Sequence, residues 1–289
     1  MLEKQVNGFI DYCKVSGFKD KSIESLSINL NKFKIFLGKI HVRSIKKVTY
    51  RHLLSFVADF QSPSIHTKKA RVWALRQFFH FLKLQSLVDE NIATAIPYPK
   101  IEKTVPQFLT IDEYNKILSH CCQKADTRLG IRDLVIILML GLLGLRTGTI
   151  ISLNIQDVDI FNGLVWVKEK GNQKRIMVMP KILCQTLNKY INSQGKRRGP
   201  LFLSTRRKRL SSRSLQDMFR NISDKAGVDK HLHAHLFRHT AATHLNKVAG
   251  TTITQFVLGH TRRENTLKYT HLNPDQYAVY MKKHPFMNI

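Results

Sequence analysis

The chain has 289 residues, 43% of them hydrophobic, enough for one large domain or two modest ones with cores of their own. Its 47 Lys and Arg against 20 Asp and Glu give a formal net charge of +27, far beyond what solubility requires, and point to a long polyanion as partner, nucleic acid first. No apolar run approaches the roughly 20 residues of a bilayer span, and the N-terminal MLEKQVNGFIDYCK mixes acids with apolar residues instead of following the order of an export signal.

A cytoplasmic protein that does not enter a membrane is therefore expected. Cys13, Cys121, Cys122 and Cys184 make neither a CxxC pair nor a metal-ligand spacing, and read as reduced thiols. Residues 1 to 105 carry 18 basic and 8 acidic side chains and residues 106 to 289 carry 29 and 12, so both parts of the chain are expected to touch the polyanion.

The first predicted elements are helices. KSIESLSINLNKFKIFLGK (21 to 39) and HTKKARVWALRQFFHFLKLQ (66 to 85) place apolar residues at steps of three and four with basic residues between them. Residues 1 to 96 should form a small helical bundle whose basic faces are either solvated or turned to DNA. In AIPYPKIEKTVPQFLTIDEY (95 to 114) three prolines and alternating charges interrupt the helical pattern, which predicts a linker at 97 to 107 and a second domain at 108 to 289. Thr110 with Glu113 three residues later has the spacing of a capping box. LVIILMLGLLGL (134 to 145) reads as a buried helix. LVWVKEKGNQKRIMVM (164 to 179) alternates on either side of a Gly-Asn turn, as a hairpin does, with Lys170 near its tip. Helical spacing resumes from about 181, broken by the basic loops GKRRGP and STRRKRLSSRS.

Three stretches carry groups suited to phosphate chemistry. In GLLGLRTGTIISL a lone cation, Arg146, ends a very apolar helix, and a buried guanidinium needs an anion to offset its lost hydration. HLHAHLFRHTAATHL (231 to 245) sets His235, Arg238 and His239 at i, i+3 and i+4, on one face of a helix. His231, His233, His235 and His239 together could be read as a zinc set, but no Cys or acid is close enough to complete one and Arg238 would repel the ion. LGHTRRENTLKYTHL (258 to 272) adds His260 and Tyr269. Each has a plain structural reading as well: an ion pair for Arg146, a helix cap for His260, ring packing for Tyr269 and one more DNA contact for Lys170.

Taken in order, these segments resemble the tyrosine recombinases, or phage-integrase family, and the Xer-like members most. GLRTGTIISL is similar to the family's first-arginine motif, VKEKGNQKRIMVMP to its lysine hairpin, HLFRHTAATHL to its His-x-x-Arg-His box and LGHTRRENTLKYTHL to its nucleophile segment. The resemblance runs nearly end to end. It implies a mainly α (α+β) protein, with a SAM-like helical core-binding bundle followed by a helix-rich catalytic domain carrying a small antiparallel β-sheet. It implies that Tyr269 attacks a DNA phosphate to give a 3′-phosphotyrosyl bond and a free 5′-hydroxyl, without metal, ATP or any other cofactor. A free phenol, with a pKa of about 10, is ionised to only about one part in a thousand at pH 7, so nearby cations and a proton acceptor are needed. Arg146 and Arg238 would hold the non-bridging oxygens, His235 would accept the phenol proton or hold the phosphate, and His260 would add a hydrogen bond. Lys170 would protonate the departing oxygen, and His239 would support the others.

The partners implied are double-stranded recombination sites and further copies of the chain, a homodimer becoming a homotetramer, with an accessory protein possible. The tail NPDQYAVYMKKHPFMNI (273 to 289) would dock into a neighbouring copy. One position departs from the family: the acid usual three residues after the first arginine is Thr149, which should leave His235 less firmly oriented. The competing readings are a type IB topoisomerase-like enzyme, a non-catalytic DNA-binding protein, and a metal-dependent nuclease or transposase, the last disfavoured by the scarcity of carboxylates.

Overall fold

The computed structural model describes residues 2–61, 63–100, 107–168, 174–195, 197–259, 278–279 and 281–287, the side chain of Lys174 excepted. Its described elements are helical apart from one small antiparallel sheet, the α+β mixture that the periodicities predict. The chain divides into two compact units, Met1–Thr104 and Val105–Ile289.

In the first unit, helices α1 (Leu2–Val15), α2 (Asp20–Lys39), α3 (Tyr50–Ala58) and α4 (Ile65–Leu84) surround an aromatic core that includes Phe9, Phe33, Phe56, Phe78 and Phe79. Hydroxyls fix two of the helix starts: Thr49 Oγ1 accepts from the backbone N–H of His52, and Ser64 Oγ from that of Thr67. One basic residue of α4 departs from the outward-facing pattern. Arg71 is only 1% exposed, and its Nη1 donates to the carbonyls of Phe56 at 2.6 Å and Phe60 at 2.8 Å. Its guanidinium also lies 4.6 Å from the centre of the Phe56 ring. The last carbonyls of α3 have no donor within their own helix, and Arg71 supplies one, so it is a core residue.

The second unit begins with α5 (Ile111–Gln123), capped as its spacing predicts: Thr110 Oγ1 accepts from Glu113 N at 3.1 Å and Glu113 Oε2 from Thr110 N at 2.7 Å. The apolar stretch forms α6 (Arg128–Leu143), buried along nearly its whole length. After it come α7 (Thr147–Ser152), strands β1 (Val158–Asp159), β2 (Leu164–Lys168) and β3 (Lys174–Val178), and helices α8 (Lys181–Gln194), α9 (Ser212–Ala226) and α10 (Ala234–Leu258), the last broken at Gly250. The sheet runs in the order β1-β2-β3, all antiparallel, with Val167 opposite Arg175 and Lys168 opposite Lys174. The predicted hairpin is thus present; its Gly-Asn turn and Lys170 lie outside the described residues. β1 has too few residues to show an alternation.

Phe286, 1% exposed, stacks on Tyr114 of α5 in its own chain, with ring centroids 3.7 Å apart and planes 15° apart. Gly141 of α6 makes room for this, since a Cβ there would fall 2.2 Å from Tyr114 Oη. Phe286 of the tail thus occupies a socket within its own chain.

Candidate active site

The site begins at the corner between α6 and α7. Gly144 ends α6 in the left-handed region at φ 60°, and a Cβ there would lie 2.4 Å from Leu258 Cδ2, so glycine both turns the chain and admits the end of α10. The turn delivers Arg146 to the N-cap position of α7, half-buried. Burial pulls its guanidinium below the usual arginine range.

Helix α10 supplies the next groups. It starts with His233, whose Nδ1 accepts from Leu236 N at 2.8 Å, so one nitrogen of the histidine-rich stretch is already committed to a cap. His235 and His239 are exposed, whereas Arg238, between them on the same side, is 5% exposed. Arg238 Nη1 donates to Gly144 O at 2.7 Å, and Nη2 donates to Leu258 O. One side chain therefore ties the end of α6 to the end of its own helix. Gly259 then caps α10 in the left-handed region.

A third guanidinium arrives from the sheet. Arg175 of β3 lies on the same side of its strand as buried Met177, and its Nη1 donates to Phe256 O at 2.9 Å and to Val257 O. The last three carbonyls of α10 all receive arginine protons, which suits the negative end of the helix dipole. From the side of α7, Thr149, 5% exposed, donates its hydroxyl to Lys168 O at 3.4 Å, tying that helix to the end of β2.

Electrostatically this is a concentration of like charge. Burial first, then Arg146 and Arg175, pull Arg238 down to about 9, which still leaves it charged at neutral pH. No carboxylate of the described residues is among the groups acting on it. Partial desolvation by the surrounding protein, then His233, Arg238 and Arg146, lower His235, and partial desolvation, then His235, Arg238 and His233, lower His239. Both imidazoles are thereby biased toward the neutral form that can accept a proton. The arrangement offers an anion forked donors and, beside them, a base.

Residues 107–276 match the family model described as the phage integrase family. The chain belongs to this family. Tyrosine recombinase XerC of Bacillus subtilis (strain 168) is 28% identical over 292 residues, covering 96% of this chain and 95% of its own. XerC of Pelotomaculum thermopropionicum is 30% identical over 250 residues, covering 82% and 80%. Among solved structures, a lambda integrase dimer bound to a COC′ core site superposes with a TM-score of 0.73 at 18% identity, over 94% of this chain and 98% of that one, a likeness of fold.

Of the residues that resemblance to the phage integrase family marks, the structure brings Arg146, His235 and Arg238 into one electrostatic neighbourhood, with His239 beside them. Lys170, His260 and Tyr269 lie outside the described residues. The first is bracketed by the paired ends of β2 and β3, and the second follows directly on the cap of α10. Sequence reasoning missed Arg175. The signal was available, because alternation in KRIMVM puts Arg175 on the same strand face as Met177 and Met179, an odd place for a merely solvated cation.

Proposed function

We propose that the protein is a tyrosine site-specific recombinase that cuts and rejoins DNA strands through a 3′-phosphotyrosyl intermediate. The observation that carries the proposal is the buried guanidinium of Arg238, crowded by Arg146 and Arg175 with no carboxylate of the described residues acting on it, in a chain of the phage integrase family. Such a cluster of guanidiniums stabilises an anion at a fixed place, and a phosphodiester bound there gains charge in the transition state where the donors point.

In the proposed reaction Tyr269 Oη attacks phosphorus and passes its proton to His235. The bond to the 5′-oxygen breaks, its electron pair leaves with that oxygen, and Lys170 delivers the proton. Arg146 and Arg238 hold the non-bridging oxygens, and His260 donates a further hydrogen bond. Because the phosphotyrosyl bond replaces the phosphodiester at nearly equal energy, rejoining to another 5′-hydroxyl needs no ATP. The domain 1–96 would be the core-binding module, 97–107 the linker and 108–289 the catalytic domain, closing on duplex DNA in the cytoplasm and assembling as dimers that pair into a tetramer. The lambda integrase relative is itself a dimer bound to a core site.

The test is covalent capture. Purified protein is mixed with a pool of nicked duplexes covering the DNA that flanks its own gene, and the products are separated under denaturing conditions. A protein–DNA adduct mapped to Tyr269 and absent from Tyr269→Phe is expected; equal adduct from both proteins would refute the assignment.

A further inference from the structure

We infer that Arg175 is a positioning residue, resting on the function proposed above: it sets the direction in which the segment carrying His260 and Tyr269 leaves α10. Arg175 sits on β3, one position beyond the pair Lys168 and Lys174 that closes the hairpin bearing Lys170. Its Nη1 donates to Phe256 O at 2.9 Å and also to Val257 O, a contact spanning about eighty positions of the chain. Two residues past Val257 comes Gly259, at φ 62°, and then His260. The end of α10 is therefore held by the sheet at the last point before the chain enters the nucleophile segment.

Two further observations favour positioning over a direct phosphate contact. Arg238 Nη2 donates to Leu258 O, so the two guanidiniums share the three terminal carbonyls between them, and losing one releases part of a set. Holding a half-buried cation close to Arg238 is unfavourable unless fixed partners offset it, and carbonyls at a helix end are among such partners. Glycine at 259 has the widest backbone freedom of any residue, so the exit direction has to be imposed from outside. A nucleophile misplaced by about 1 Å loses roughly a hundredfold in rate.

The experiment compares wild type, Arg175→Ala and Arg175→Gln in single-turnover cleavage of whichever nicked duplex the wild type captures, at saturating protein, with binding measured separately. Each is also run on the same duplex with sulfur replacing the 5′-bridging oxygen, a leaving group that does not need protonation. Arg175→Ala is expected to slow cleavage by roughly 10- to 100-fold, with affinity changed less than about threefold, and sulfur should not restore the rate. Arg175→Gln, which keeps one amide donor for a carbonyl but no charge, should recover part of the loss. Wild-type cleavage rates in Arg175→Ala would overturn the inference. So would recovery with sulfur, which would place the residue's action on Lys170, and so would a fall in affinity matching the fall in rate, which would make it a DNA contact. If Arg175→Ala does not fold, Arg175→Gln alone decides between the same outcomes. Failure of the wild type itself to form any adduct would overturn the recombinase reading beneath the inference.

Discussion

Acidification should loosen the tail socket, and the size of the effect follows from one buried imidazole. His284 is 1% exposed, its ring lies 5.1 Å from Phe286, and its Nδ1 accepts from Phe286 N at 3.3 Å. Burial, then the neighbouring His244, pull it from 6.5 down to about 4. The unfolded chain therefore binds the proton more readily than the folded one. Stability is complete above about pH 6.5 and is lost as pH falls toward about 4. At pH 5 the unfolded imidazole is almost wholly protonated and the folded one about one-tenth, which amounts to about 2 kcal/mol lost relative to pH 8, rising to about 3 kcal/mol in stronger acid. The assay is urea unfolding of wild type and His284→Asn, whose Oδ1 can take the Phe286 N–H in place of Nδ1. Other titrations largely cancel between the two proteins, so the stability difference should shift by about 2 kcal/mol between pH 8 and pH 5. A difference constant to within about 0.5 kcal/mol would refute the reasoning.

Gly141→Ala should lower stability by about 1 to 3 kcal/mol, because the added methyl falls 2.2 Å from Tyr114 Oη and must displace the ring on which Phe286 stacks; an unchanged melting temperature would contradict this. Arg71→Met should cost about 1 to 3 kcal/mol for each of the Phe56 and Phe60 carbonyls left without its donor, whereas an arginine serving only DNA would lower affinity and leave thermal unfolding where it was. Thr149→Glu adds a carboxylate one helical turn from Arg146 in place of a hydroxyl spent on Lys168 O. It should accelerate cleavage of a nicked suicide substrate by roughly tenfold, and an unchanged rate would show that His235 needs no such support.

How much of this was legible in the sequence depended on the range of the interaction. Thr110 and Glu113 announced a helix start because a cap is settled within four residues, and the hairpin at 164 to 179 announced itself because alternation is local. The spacing of His235, Arg238 and His239 gave a shared face but not a depth, and the structure buries Arg238 while leaving the imidazoles exposed. Arg71 and Arg175 were the hardest to see. Each answers carbonyls on another element, Phe56 and Phe60 in one case and Phe256 and Val257 in the other, and a local period names no such distant partner, although strand alternation did place Arg175 on the face of Met177.

The choice of arginine at 238 follows from counting protons. A guanidinium carries five N–H donors in a plane and an ammonium three on one atom. Gly144 O and Leu258 O take two of them, from Nη1 and Nη2 respectively. Three remain with their directions already set by the two that are spent, and a forked pair can face a phosphate while the anchor holds. A lysine making the same two anchors would keep a single donor, and its charge would sit at the carbonyls instead of spreading toward the anion. The repulsion from Arg146 acts in the same sense: it penalises the Arg238 cation, and under the proposed function a phosphate held between the two guanidiniums would relieve it.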